Sequence, residues 1–370
     1  MFKKLVTSLF SPSKNNNQLN YCYFEESKNF IEEEQEKAIT ELQTSLASKS
    51  INLVSMEEKY QKEFYDFLFG QPATTEKYDE LSRYVADQVE KIFDNPTDIL
   101  KSLPILPTSL TEILEQLNNK EFDTEILIEL IQQEAVIAGK VIELANSAFY
   151  NRRNKEITDL KSAFMLLGTN GLMEGVINGF VSKLAPQSPI YFKQYGDKIW
   201  KHSLSTGVIA KELINMSPYK AESAQGYLIG LICNLGDMVI YQLLIEAFSF
   251  VHPDCQPNTL AFKNLMFKNS KKITYYIAKH WNFPSSILEA LALQAKLTKS
   301  SMLCSLFTKR PIACYIYEAN IISELEMRFE HHEIDDVPLI EAKDFLVFSN
   351  EAKQYMDKLL SKEVQYPVTY

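Results

Sequence analysis

The chain holds 370 residues, 46% hydrophobic and 23% charged, which is ample material for a buried core and too apolar for a disordered polypeptide. A formal charge of −10 speaks against a protein whose main task is to wrap nucleic acid, because phosphate binding needs a cationic face. Eleven glycines are few for a fold built on glycine turns, so helices are favoured over an all-β architecture.

At the N-terminus Lys3 and Lys4 precede Leu5, Val6, Leu9 and Phe10, with neither an apolar stretch of secretory length nor a small-residue cleavage site. Phe2, Leu5, Val6, Leu9 and Phe10 fall at helical spacing, which reads as a docking turn rather than an interfacial anchor because so short a stretch buries little area. No run approaches the ~20 apolar residues that span a bilayer. Residues 11–20, with Asn15, Asn16 and Asn17, read as a flexible linker, and Ile31–Leu46 as an acidic polar helix. Residues 1–100 hold 11 Lys and Arg against 18 Asp and Glu, a balance of −7 that leaves −3 for the remainder. An acidic first quarter is thus joined to a nearly neutral body.

Ser55 and Glu58 form a capping box ahead of an apolar stripe of Tyr60, Phe64, Phe67 and Leu68, which Gly70 and Pro72 end. A second stripe carries Leu81, Tyr84, Val85, Val89, Ile92 and Phe93 before Asn95-Pro96. Such aromatic stripes are expected to be packing faces, here against the rest of the protein through Tyr60, Phe64, Phe67, Tyr84 and Val89. Pro104 and Pro107 mark a boundary, and Ser109 with Glu112 opens a helix carrying Ile113, Leu114 and Leu117. Asp123 or Thr124 caps the next (Ile126, Leu127, Leu130, Ile131), and a third holds Val136, Ile137, Val141, Ile142 and Leu144. Thr158 starts a fourth that Gly168 closes, and Asn170 caps a fifth. Helical stripes continue through Lys198–Met216, Glu222–Phe248, Lys271–Trp281 and Ser285–Leu297, and the tail from Pro311 is helical, with Pro338 beginning a last helix that reaches Leu360. Period-2 strands are almost absent, so the predicted fold class is all-α, with no fixed repeat.

Motifs for reactive chemistry are scarce. There is no phosphate loop, dinucleotide-binding glycine pattern, H-E-x-x-H or G-x-S-x-G. Cys22, Cys233, Cys255, Cys304 and Cys314 are odd in number and lack a C-x-x-C pair, as expected of reduced thiols in a cytoplasmic protein. His331-His332 reads as a solvated turn, His280 as a helix-end cation beside Trp281, and His252 as a loop residue. His202 is left. Lys263, Lys268, Lys271 and Lys272 form a modest basic cluster that reads as solvated surface.

The segments Ser102–Pro107, Ala138–Val141, the string Leu144-Ala145-Asn146-Ser147-Ala148-Phe149-Tyr150, Ile157 and the turn Ala163–Gly168 occur in a distinctive order. Trp200-Lys201-His202-Ser203, Gly230–Gly236 and Trp281-Asn282-Phe283-Pro284 with Ile287 and Ala290 follow. Over roughly residues 96–300 the chain thereby resembles the HDOD family, the HD-related output domains of bacterial signalling proteins. The resemblance implies a multi-helical HD-like bundle, here with an N-terminal region at 1–95 and a C-terminal helical extension at 301–370. In the L-A-N-S-A-F-Y string, Leu144, Ala145 and Ala148 permit close helix approach, while Asn146 and Ser147 can bond backbone groups freed where the helix stops. Phe149 and Tyr150 would cover the junction.

Catalytic HD relatives hold a divalent metal with a histidine, a His-Asp pair and a later aspartate. His202 matches the first, but Cys233 and Asn234 stand at the pair, and Asp237 replaces the lysine that often follows Gly236. Ser270 and Gln294 lie where further histidines would be sought. Asparagine lacks the charge a hard cation prefers and cysteine is soft, so no metal, cofactor or catalytic residue is expected. A substitute zinc site of His202, Cys233 and Asp237 is the rival arrangement, since Cys233 and Asp237 are four apart on a helix. The resemblance implies a non-catalytic regulatory protein that binds protein partners in a bacterial signalling pathway, with self-association open and neither nucleic acid nor membrane expected. A metal-dependent phosphohydrolase or phosphodiesterase is the alternative.

Overall fold

A computed structural model describes residues 56–70, 80–94, 97, 99, 123–147, 150–151, 156–182, 190–251, 259–281, 283–297 and 299–361. Among these residues the structure is helical and contains no strand. The helices are α1 (56–69), α2 (Glu80–Asp94), α3 (Thr124–Gln132), α4 (Ala135–Asn146), α5 (Leu160–Ser182), α6 (Ile190–Met216) and α7 (Ser223–Ile232). They continue as α8 (Leu235–Val251), α9 (Thr259–His280), α10 (Ser285–Lys296), α11 (Pro311–Glu330), α12 (Asp336–Phe345) and α13 (Asn350–Leu360). The expected helices at Ile31–Leu46 and after Ser109, the Ser55 side of the first capping box, and Cys22, His252 and Cys255 lie outside the described residues.

Local chemistry sets most boundaries. Asp123 caps α3, its carboxylate accepting from the N–H groups of Glu125 (2.8 Å) and Ile126 (3.3 Å). At α5 the capping side chain is Asp159, which accepts from Ser162 N–H at 2.8 Å, rather than Thr158. Gly168 breaks α5 with φ of 65°, a conformation that costs glycine little, and the chain resumes as helix at once. The expected single helix from Pro338 to Leu360 is two helices, and between them the N–H groups of Phe348 and Ser349 bond the buried Glu318 carboxylate. The long apolar stretch also differs from expectation. The segment Lys220–Ala247 does reach the length and hydropathy of a bilayer span, but it bends at Cys233-Asn234 and its apolar stretch is buried within the protein.

Helices α7 and α8 are the centre of the bundle: α7 is buried almost throughout and packs on α5, α6, α10 and α11, while α8 packs on α2, α6 and α9. Glycines make the closest crossings possible. A Cβ on Gly230 would lie 2.8 Å from Gly207 Cα where α7 meets α6, and one on Gly179 would lie 2.7 Å from Ile137 Cα where α5 meets α4. At the start of α8, a Cβ on Gly236 would overlap the Ser270 carbonyl of α9. That approach brings the next residue, Lys271, against the α7–α8 bend.

The flanking helices share the same core. Tyr60, Phe64, Phe67 and Val89 are buried as the stripes required, whereas Tyr84 is 47% exposed and faces outward. Of the four lysines read as solvated surface, Lys263 is instead buried, donating to Asp66 (2.5 Å) and to the Gly70 carbonyl (2.6 Å) of α1 and its end. Lys268 and Lys272 are exposed. The fate of Lys271 defines the site.

Candidate functional site

Five helices converge on one small pocket lined by Gln61, Phe64, Tyr65 and Leu68 of α1, Ile199 and His202 of α6, Asn234 and Asp237 at the α7–α8 bend, Lys271 of α9 and Glu324 of α11. The cavity is about 10 Å³, the space of about one water molecule. The bend is pinned by Thr274, whose hydroxyl accepts from Gly236 N–H (2.8 Å) and donates to the Cys233 carbonyl (3.3 Å). Backbone groups freed between two helices are thereby satisfied, and Asn234 is held fully buried.

His202 is buried and neutral. Its Nδ1 lies 3.0 Å from Ser323 Oγ, and that hydroxyl lies 3.2 Å from the His202 carbonyl. If the hydroxyl proton serves the carbonyl, Nδ1 carries the ring proton and donates to Oγ. Phe64 covers the imidazole face, with ring centroids 4.7 Å apart. Burial, with the nearby Lys271 charge, pushes the His202 pKa down to about 3. Around it, Tyr65 donates to Asp237 (3.3 Å) and Asn320 Nδ2 donates to Glu324 (2.7 Å). Burial pushes both carboxyls up, Glu324 to about 7, with Lys271 opposing the shift in each case. The Lys271 ammonium donates to Asn234 Oδ1 at 2.6 Å and to Asn320 Oδ1 at 3.3 Å.

These residues do not fit a divalent metal. Cys233 donates its Sγ–H to the Gly230 carbonyl (3.1 Å), and burial pushes the thiol up to about 11, which opposes formation of the thiolate that zinc requires. Asn234 Oδ1 is engaged by an ammonium, and the histidine is covered by an aromatic ring. Among the described residues no three of His, Cys, Asp and Glu converge as a metal-ligand group, so the rival His202–Cys233–Asp237 site is not assembled. Of the two positions examined for further ligands, Ser270 is buried beside the bend, whereas Gln294 lies outside the pocket and donates to the Ala313 carbonyl at 2.7 Å.

The junction after α4 has the bonding its sequence implies. Asn146 donates to the carbonyls of Ile142 (3.0 Å) and Ile157 (2.7 Å) and accepts from Ile157 N–H (2.8 Å), while Ser147 Oγ donates to the Leu144 carbonyl (2.7 Å). Tyr150 donates to Glu174 (3.0 Å) and accepts from Lys211 (3.0 Å). Ala148 and Phe149 lie outside the described residues.

Sequence reasoning missed two parts of the pocket. Lys271 stands in a row of lysines, and nothing in the sequence alone separates it from the exposed Lys268 and Lys272. Asn320, Ser323 and Glu324 come from a segment assigned only as an extension; their i, i+3, i+4 spacing places them together on one face of α11.

The helical bundle is of the HD-like class. The HDOD domain family model matches residues 103–297, just over half of the chain, and the chain belongs to the HDOD family. Among solved structures, a protein of Shewanella amazonensis SB2B named provisionally as a phosphohydrolase superposes with a TM-score of 0.50 at 18% identity, over 74% of this chain and 92% of that one. An HDOD domain protein with unknown function from Geobacter sulfurreducens gives 0.48 at 17% identity, over 73% and 99%. An uncharacterized protein of Treponema pallidum (strain Nichols) is 23% identical over 217 residues, 58% of this chain. This chain spans only 41% of the length of that relative. The matched family region stops short of both α1 and α11, so the pocket is closed by helices outside it.

Proposed function

We propose that this chain is a non-catalytic HDOD regulatory protein of the cytoplasm that works by binding protein partners in a signalling pathway. The observation that supports this most is the state of the pocket: Phe64 lies over His202, Tyr65 bonds Asp237, and a protonated thiol and a lysine-bound amide stand at the two positions where a catalytic relative would present a His-Asp pair. A substrate phosphate would have to displace α1 to reach any of them, and no activated water follows from the donors present. The family membership supports a regulatory role; the partner itself is expected to be a protein, because the acidic chain offers phosphate no broad cationic face.

The alternative is a metal-dependent phosphohydrolase, the class named for the Shewanella neighbour. Metal analysis of the purified full chain separates the two, together with hydrolysis of a generic phosphodiester in added Mn²⁺ or Mg²⁺. The regulatory reading expects less than stoichiometric metal and no hydrolysis above background. One metal per chain, or hydrolysis that His202→Ala abolishes, overturns it.

A further inference from the structure

We propose that the ammonium of Lys271 is the resident cation of the pocket, a covalently tethered charge in the place a bound ion would otherwise take. The proposal deepens the non-catalytic reading and rests on it. Three independent features of the structure converge on this one atom.

The first is coordination. Lys271 Nζ is held by two side-chain carbonyl oxygens, Asn234 Oδ1 of the α7–α8 bend at 2.6 Å and Asn320 Oδ1 of α11 at 3.3 Å. Each amide is itself oriented by a second partner: Asn320 Nδ2 donates to Glu324 at 2.7 Å, and Asn234 Nδ2 points to Thr206 Oγ1 at 3.5 Å. Both amides therefore turn their oxygens toward the lysine. Neutral oxygen donors arranged in this way favour a cation and offer an anion nothing.

The second is charge. Asp237 and Glu324 line the same cavity, and two buried carboxylates with no cation between them repel and lose their hydration. Lys271 is the cation lining that cavity, and its field acts on both carboxyls, on His202 and on Cys233. The third is construction. Gly236 lets α9 approach α8 until a Cβ would overlap the Ser270 carbonyl, which places Lys271 at the bend, and Phe64, Tyr65 and Leu68 close the cavity over it. A lysine intended for solvent needs no such approach.

The test uses the full chain and a chemically matched amine. Lys271→Ala removes the equivalent of n-propylammonium from the pocket, and the melting temperature is expected to fall on the order of 5 °C. Millimolar n-propylammonium should raise the melting temperature of Lys271→Ala above any shift in wild type, while 1-propanol, similar in size and uncharged, should not. Equal recovery by propanol, or none by the amine, overturns the proposal. Lys271→Met keeps the length without the charge and is expected to melt below wild type; a melting temperature at or above wild type overturns the proposal even if the alanine variant does not fold. Stoichiometric metal in wild type would remove the non-catalytic reading, whereas an undiminished Lys271→Met in a metal-free wild type removes only the tethered-cation proposal.

Discussion

The junction after α4 lies within the HDOD region, whereas the pocket beneath α1 is completed by helices outside it, and the two are held together by different chemistry. At the junction, Asn146 and Ser147 bond main-chain groups that every such bend leaves free, so the chemistry is dictated by the backbone. At the pocket, the backbone bend at Cys233-Asn234 is pinned by Thr274, and the side chains face one another and a lysine. Residues that serve the scaffold are constrained by the scaffold alone.

The largest expected effect strikes the cover. Phe64→Ala removes a buried ring from between α1 and His202 and should cost about 3–5 kcal/mol in urea unfolding. The same variant admits water to the imidazole, so its pKa should climb from about 3 toward the ordinary 6.5. An NMR titration in which His202 titrates at the same pH in both proteins would contradict the covering role of α1.

Next is the bend itself. Gly236→Ala forces α8 and α9 apart at the Ser270 carbonyl, a backbone clash expected to cost about 1–3 kcal/mol, and it should withdraw Lys271 from Asn234. At the junction, Asn146→Ala removes three hydrogen bonds to exposed backbone and should cost about 1–2 kcal/mol while leaving the His202 titration unchanged. If Asn146→Ala moved the His202 titration, the two regions would not be independent in the way the comparison claims.

The smallest effect is electrostatic. Glu326 is buried on α11, accepting from Ser205 (2.9 Å) and Tyr355 (3.1 Å), and burial raises it to about 7 from an ordinary 4.5. The folded chain therefore holds that proton more tightly than the unfolded chain, and the stability so gained is full below pH 4.5 and lost as pH rises through 7. His202 has the opposite sign: depressed to about 3, it contributes stability that is present above 6.5 and lost as pH falls toward 3. Glu326→Gln should narrow the difference in stability between pH 5 and pH 8 by about 1–2 kcal/mol, measured by urea melts.

The helices and the junction were legible in the sequence because local rules govern them. Asp123 as a cap and Gly168 as a break act within a turn of their own position, and Asn146 reaches backbone no farther than Ile157, eleven residues on. The long α7–α8 stripe was read as one helix, since nothing in apolar periodicity announces a bend whose cause is Thr274, some forty residues away. His202 and Asn234 were legible as residues of one site, yet the partners they meet there were not. Lys271, Glu324 and Phe64 meet there only through tertiary contacts among α1, α9 and α11, and a lysine in a row of lysines carries no mark of burial.

The central claim is that this pocket seats a lysine and an aromatic cover in place of a metal. Anomalous diffraction from crystals of the full chain grown in millimolar Mn²⁺ tests it most directly. The account predicts no manganese peak in the pocket, with Lys271 Nζ in contact with Asn234; a peak bonded to His202 and Asp237, with the lysine swung away, would contradict it.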